Sequence, residues 1–136
     1  MKQGILIFTS LILASLVPAN AATTRVSGIY SDMYYNEEGG DLLGMELMIV
    51  PTNTNGGYSA FVQFAEGGAP TVAIVSLDID GTKIEFTIPK EIAIYGGDHF
   101  VGVVKGDGIV GHWSNGQPAF TGGKEEHLKR GKSYWQ

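Results

Sequence analysis

Between Phe100 and Trp113 the chain reads Phe-Val-Gly-Val-Val-Lys-Gly-Asp-Gly-Ile-Val-Gly-His-Trp, and this stretch restricts the fold more than any other. Phe100, Gly102 and Val104 fall on one side of a strand. Gly106-Asp107-Gly108 supplies a turn, and Ile109, Gly111 and Trp113 resume the alternation on the way back. The pattern predicts a β-hairpin. Glycine inside a strand marks a bend, a bulge or the close approach of another backbone or a large ring, so Gly102 and Gly111 predict a curled sheet.

The same alternation recurs along the chain. Arg25 to Tyr30 reads as a first strand with Val26, Gly28 and Tyr30 on one face, and Ser31 to Asp41 as a polar connection rich in acids and tyrosines. Leu42 to Val50 is apolar except for Glu46, with Leu43, Met45, Leu47 and Ile49 on one face. Pro51 and the Thr-Asn-Thr-Asn-Gly-Gly run after it favour a strand and turn over a helix. Tyr58 to Phe64, the β-branched run Thr71 to Leu77, and Lys83 to Ile88 follow as strands. Lys90 to Asp98 reads as either a helical turn or an extended connection. Beyond the hairpin, Asn115-Gly116 is a turn signal, followed by short segments at Gln117 to Phe120 and Glu126 to Arg130. About eight short strands with a turn signal every 8 to 12 residues predict an all-β antiparallel meander, closed or nearly closed into a small barrel. A β-sandwich is the alternative.

Met1 to Ala21 has one early positive charge, an apolar run from Ile5 to Val17 and a small-residue ending, the makeup of a cleaved signal peptide. The apolar core, about 13 residues, is shorter than the roughly 20 that span a bilayer. The expectation is an exported protein, periplasmic or secreted, with one domain over residues 22–136 and no membrane span after cleavage. Loss of Lys2 with the leader takes the formal net charge from −5 to about −6, which argues against nucleic acid as a partner. Cysteine is absent, so disulfides, thiolate nucleophiles and thiolate metal ligands are excluded.

The pattern Phe-x-Gly-x-Val-x-Gly-Asp-x-Ile-x-Gly-x-Trp at 100–113, followed by Asn-Gly and a last strand, resembles the closing hairpins of small lipocalin-like or avidin-like barrels of the calycin type. The opening Gly28 to Asp41 and the ending Leu128 to Gln136 look like those of small exported bacterial proteins. The resemblance implies a barrel and an exported location, and no activity.

Chemistry-bearing patterns are sparse. Asp32, Glu37, Glu38 and Asp41 form an acidic loop whose offsets match no calcium loop. Asp78-Ile79-Asp80-Gly81 begins like an EF-hand but lacks the closing glutamate. His99, His112 and His127 show no zinc spacing, and alternation puts His112 on the face opposite Trp113. No nucleophile elbow or phosphate loop occurs, so no catalytic residue, metal or cofactor is assigned. Tyr30, Asp32, Tyr35, Tyr58 and Trp113 are the candidates for binding a small apolar ligand at a barrel mouth. Glu37, Glu38, Asp41, Tyr134 and Trp135 are the candidates for a protein partner. The basic tail Leu128 to Gln136 is expected to fold back and close one end of the barrel, Lys129, Arg130 or Lys132 pairing with the acidic loop. The functional expectation is a non-enzymatic binding protein, a monomer or small homo-oligomer. One version is a periplasmic inhibitor of a hydrolase such as lysozyme; an enzyme on a calycin-like barrel, with Tyr30, Asp32 or His112 at its mouth, is the other.

Overall fold

Nine antiparallel strands organise the computed structural model of the chain, which describes residues 25–53, 56–92, 94–114 and 125–136. The presumed leader, the Asn115-Gly116 turn and the Gln117 to Phe120 segment lie outside the described residues. The strands are β1 (Gly28–Ser31), β2 (Tyr34–Asn36), β3 (Asp41–Pro51), β4 (Tyr58–Glu66), β5 (Thr71–Asp80), β6 (Lys83–Thr87), β7 (His99–Lys105), β8 (Gly108–Trp113) and β9 (Glu126–Arg130). From β3 to β9 each strand pairs with the next, β9 pairs with β1, and β1 pairs with β3. The ring therefore closes as an eight-stranded barrel, and β2 is an additional strand on the start of β3. Closure sets aside the sandwich. Among the described residues no helix is long and apolar enough to cross a membrane.

Where the sequence suggests only a polar connection, Tyr34–Asn36 forms β2. The reason is local. β1 and β2 meet β3 in one continuous register, Ser31 opposite Glu46 and Tyr34 opposite Leu43. Between them Gly44 adopts φ +103°, and a Cβ there would lie 2.8 Å from the Asp32 carbonyl oxygen. Across this kink the Asp32 N–H donates to Met45 O at 3.0 Å, while the Met45 N–H donates to Asp32 Oδ1 at 2.6 Å. The carboxylate stands in for a ladder carbonyl and lets the pairing resume as β2.

Alternation delivers the core. Met45, Leu47 and Ile49 on β3, Ala60, Val62 and Phe64 on β4, and Ala73, Val75 and Leu77 on β5 all point inward and are buried. Facing them are Ile84, Phe86, Phe100, Val104, Ile109, Trp113 and Leu128. The barrel interior is thus occupied by the chain's own side chains. On the β7–β8 hairpin Gly102 sits opposite Gly111, and the Phe100 ring lies across both. A Cβ at Gly102 would be 2.8 Å from Phe100 Cε1, and one at Gly111 would overlap Cζ. Burying such a ring gains about 1.5–3 kcal/mol, against about 1–2 kcal/mol for the two strand glycines that make room for it, so the balance favours the ring placement. Phe86 stacks on Phe100 at 5.1 Å, and Trp113 meets both rings edge-on.

The two ends differ. At the end reached by the β2–β3 turn, Tyr95 from the 88–98 connection lies on Phe64 at 4.7 Å, and Phe64 on Trp113 at 5.4 Å. At the other end the Tyr30 hydroxyl donates to Val26 O at 2.7 Å, with the Arg130 guanidinium 5.3 Å from the Tyr30 ring centre. Arg130 also donates to the carbonyls of Arg25 and Ser27. The tail folds back, but along the outer wall of β3 and β4 rather than over an end. Its anchor is Glu46, which accepts from Gln63 Nε2 at 2.9 Å, Ser133 Oγ at 2.7 Å and the Tyr134 N–H at 2.8 Å. Trp135 Nε1 donates to Gln63 Oε1 at 3.1 Å. A carboxylate that accepts three hydrogen bonds holds the tail more firmly than a distant surface ion pair would.

Candidate functional site

Polar chemistry concentrates at the rim that carries β2. Glu126 opens β9 in phase with Leu128, so it faces inward, opposite Gly111, which has no side chain to compete for the space. Glu126 is 5 % exposed, and its Oε1 has no hydrogen-bond partner; the indole N–H of buried Trp113 has none either. Asp32, held by Met45, stands beside Glu126. Burial pushes the Glu126 carboxyl up to about 7, and the Asp32 charge and a hydrogen bond with Asp32 push the same way. Burial also raises Asp32, against the lowering effect of its bonds to the Met45 amide and to Glu126. Two carboxyls in one desolvated place resist double ionisation, so the pair keeps one proton to a higher pH than exposed carboxyls do, with Glu126 as its main holder.

The pair sits at the barrel's seam. β1 and β9 pair at Tyr30–Arg130 and Ser31–Lys129, with the Gly131 N–H donating to Ile29 O at 3.0 Å just beyond; toward Glu126 the two strands separate around a surface cleft of about 310 Å³ lined by Ser31, Asp32, Met33, His127 and Lys129. Above the seam the β2–β3 hairpin projects. Tyr34 and Tyr35 are 55 and 54 % exposed, Glu37 and Glu38 are exposed at the turn, and among the described residues β2 pairs with β3 alone. Gly40 (φ +70°) closes the turn, its N–H donating to Asn36 O at 2.8 Å. Asp41 is half-buried, its carboxylate filling the space beside Gly39 and Gly67.

The residues singled out from sequence therefore fall in four places. Asp32 and Trp113 come together at the seam, through Glu126. Tyr35, Glu37, Glu38 and Asp41 share the hairpin. Tyr30 is fully buried at the far end, where half-buried Tyr58 also packs against the core. Tyr134 and Trp135 lie on the outer wall, ring to ring at 5.1 Å. Sequence reasoning missed Glu126, although a signal existed: an acid in phase with Leu128 on a strand faces inward. His112 is exposed opposite buried Trp113, as alternation predicts. His99 lies 3.4 Å from Glu85, and His127 lies 3.5 Å from Glu125. Among the described residues no three metal-ligating side chains converge.

Fold and rim together define an eight-stranded antiparallel β-barrel with a filled interior and an acidic, tyrosine-bearing edge. No protein family matches the chain, and no curated protein or solved structure matches it significantly.

Proposed function

We propose that the chain is an exported, non-enzymatic binding protein of calycin-like shape whose β2–β3 hairpin recognises a basic protein, with a hydrolase such as lysozyme as the leading partner class. One observation carries this reading: two adjacent tyrosines, each more than half exposed, on a strand that among the described residues pairs along one edge only, with acids at its turn. Exposed tyrosines supply large contact area at small entropic cost and recur as interface anchors. Acids around them steer a basic partner. The filled interior turns the search for a ligand outward.

Lysozyme is the probe for the test, with binding followed by titration calorimetry and inhibition by its turnover. Tyr35→Ala is expected to weaken binding at least 30-fold, the scale of an interface anchor. Replacing Glu37 and Glu38 with lysine should slow association and flatten its salt dependence. Binding that survives both changes intact, or its absence across a panel of basic cell-wall hydrolases, would overturn the reading.

The Asp32–Glu126 pair beside its cleft favours a second reading, a small polar ligand held at the seam. Native mass spectrometry of the purified protein separates the two. A mass excess lost on denaturation, and absent from Asp32→Asn, supports a carried ligand; a bare mass removes it.

A further inference from the structure

The outer wall of β3, β4 and β5 carries an apolar face that neither the core nor the rim uses. Met48, Phe61 and Ile74 stand directly opposite one another across the three strands. Val50 and Val72 flank them, and Trp135 lies against Gln63, one row along. These six are between 38 and 73 % exposed. Around them the outward positions Ser59, Gln63 and Ser76 are uncharged, Glu46 is 2 % exposed because the tail covers it, and the exposed acids of the outward row, Asp78 and Asp80, stand beyond Ser76 at the far end of β5. The tail thus covers the charge next to the Met48–Phe61–Ile74 row and adds Tyr134 and Trp135 beside it.

We propose that this face is a twofold interface with a second copy of the chain. The area fits. With free side chains of this size offering about 150–250 Å² each, the exposed fractions amount to roughly 600 Å² of apolar surface. At the ~65 % apolar share of homodimer interfaces, that corresponds to about 900 Å² per partner, against roughly 800 Å² in a standard stable complex. Charge selects the occupant. Two copies of a chain with formal charge −5 repel over most of their surface and least where a face is poor in charge, as this one is up to Ser76, whereas a basic partner is drawn to the acidic rim. A twofold axis lets one such patch complete itself, with no complementary surface required. The inference is independent of what the hairpin binds.

Sedimentation velocity over a concentration series, on the protein purified as cells produce it, tests the proposal. The wild type is expected to shift from monomer to dimer within the micromolar range. Ile74→Lys and Phe61→Lys, both at solvent-exposed positions, should each weaken dimerisation at least 30-fold while leaving the circular dichroism melt within a few degrees of wild type. Val103→Lys, on the opposite wall and comparably exposed, should leave the dimer intact. A wild type that stays monomeric up to ~0.5 mM would overturn the proposal, as would a dimer that Val103→Lys disrupts and Ile74→Lys does not. So would a monomer that co-floats with phosphatidylcholine vesicles through Ile74, since the face would then take lipid.

Discussion

Gly111→Ala is expected to cost about 3 kcal/mol of stability, at the upper end of overpacking effects, and to lower the melting midpoint by roughly 10 °C for a domain of this size. The new methyl group would overlap Phe100 Cζ, and it would stand 2.7 Å from Val101 O and 2.9 Å from Gly102 Cα. The ring can shift, but the two backbone atoms belong to the paired β7 strand and cannot yield without bending the ladder. A second change separates these contributions. Phe100→Leu in the Gly111→Ala background should recover part of the loss, giving a coupling of about 1 kcal/mol between neighbours that share one space. Gly106→Ala is the control, because a Cβ there meets nothing within 4 Å, and it should change stability by less than about 0.5 kcal/mol. Urea unfolding followed by circular dichroism reads all five proteins, the Phe100→Leu single variant included to close the cycle. An unaltered midpoint for Gly111→Ala would mean that the ring does not rest on the hairpin.

That hairpin was legible in sequence because every signal there is local: strict alternation, a Gly-Asp-Gly turn, and glycines where a ring must pass. The closed meander was legible for the same reason, strand by strand. β2 was not. Tyr-Tyr-Asn followed by two acids and two glycines has the composition of a turn, and its pairing depends on an Asp32 carboxylate replacing a carbonyl opposite the kink at Gly44. Nothing within the window of a strand pattern announces that. Glu46 could be seen as the lone charge in an apolar run, yet what satisfies it, Ser133 and Tyr134, lies 87 and 88 residues further on. Alternation told which way each side chain pointed, but not that the tail would cross the wall to meet this one. The seam combines both cases. In sequence Asp32 is an acid in a loop and Trp113 a ring in a strand, and only closure of β9 onto β1 brings Glu126 between them.

Glu126 gives the second large effect, in the opposite direction to that of Gly111. A carboxyl raised from about 4.5 in the unfolded chain to about 7 in the barrel binds its proton more tightly when folded, so folding stability falls as pH rises between those two values. The contribution is fully present below about pH 4.5 and is lost once pH passes about 7. A difference of this size corresponds to roughly 3 kcal/mol. Glu126→Gln keeps the shape and removes the charge, and its amide can donate to Asp32 and accept from the Trp113 N–H. The variant should match the wild type near pH 4 and exceed it by about 2–3 kcal/mol at pH 8, or roughly 10 °C in midpoint. The difference between the two proteins is the relevant measurement, since the exposed carboxylates titrate alike in both. Asp32→Asn supplies the check on mechanism. It keeps an oxygen to accept the Met45 N–H but withdraws the neighbouring charge, so the Glu126 carboxyl should titrate lower and the pH window of instability should move down with it. Parallel stability curves for wild type and Glu126→Gln from pH 4 to 8 would show that the carboxyl is solvated in the folded protein, and that the seam stands open to water rather than holding a proton.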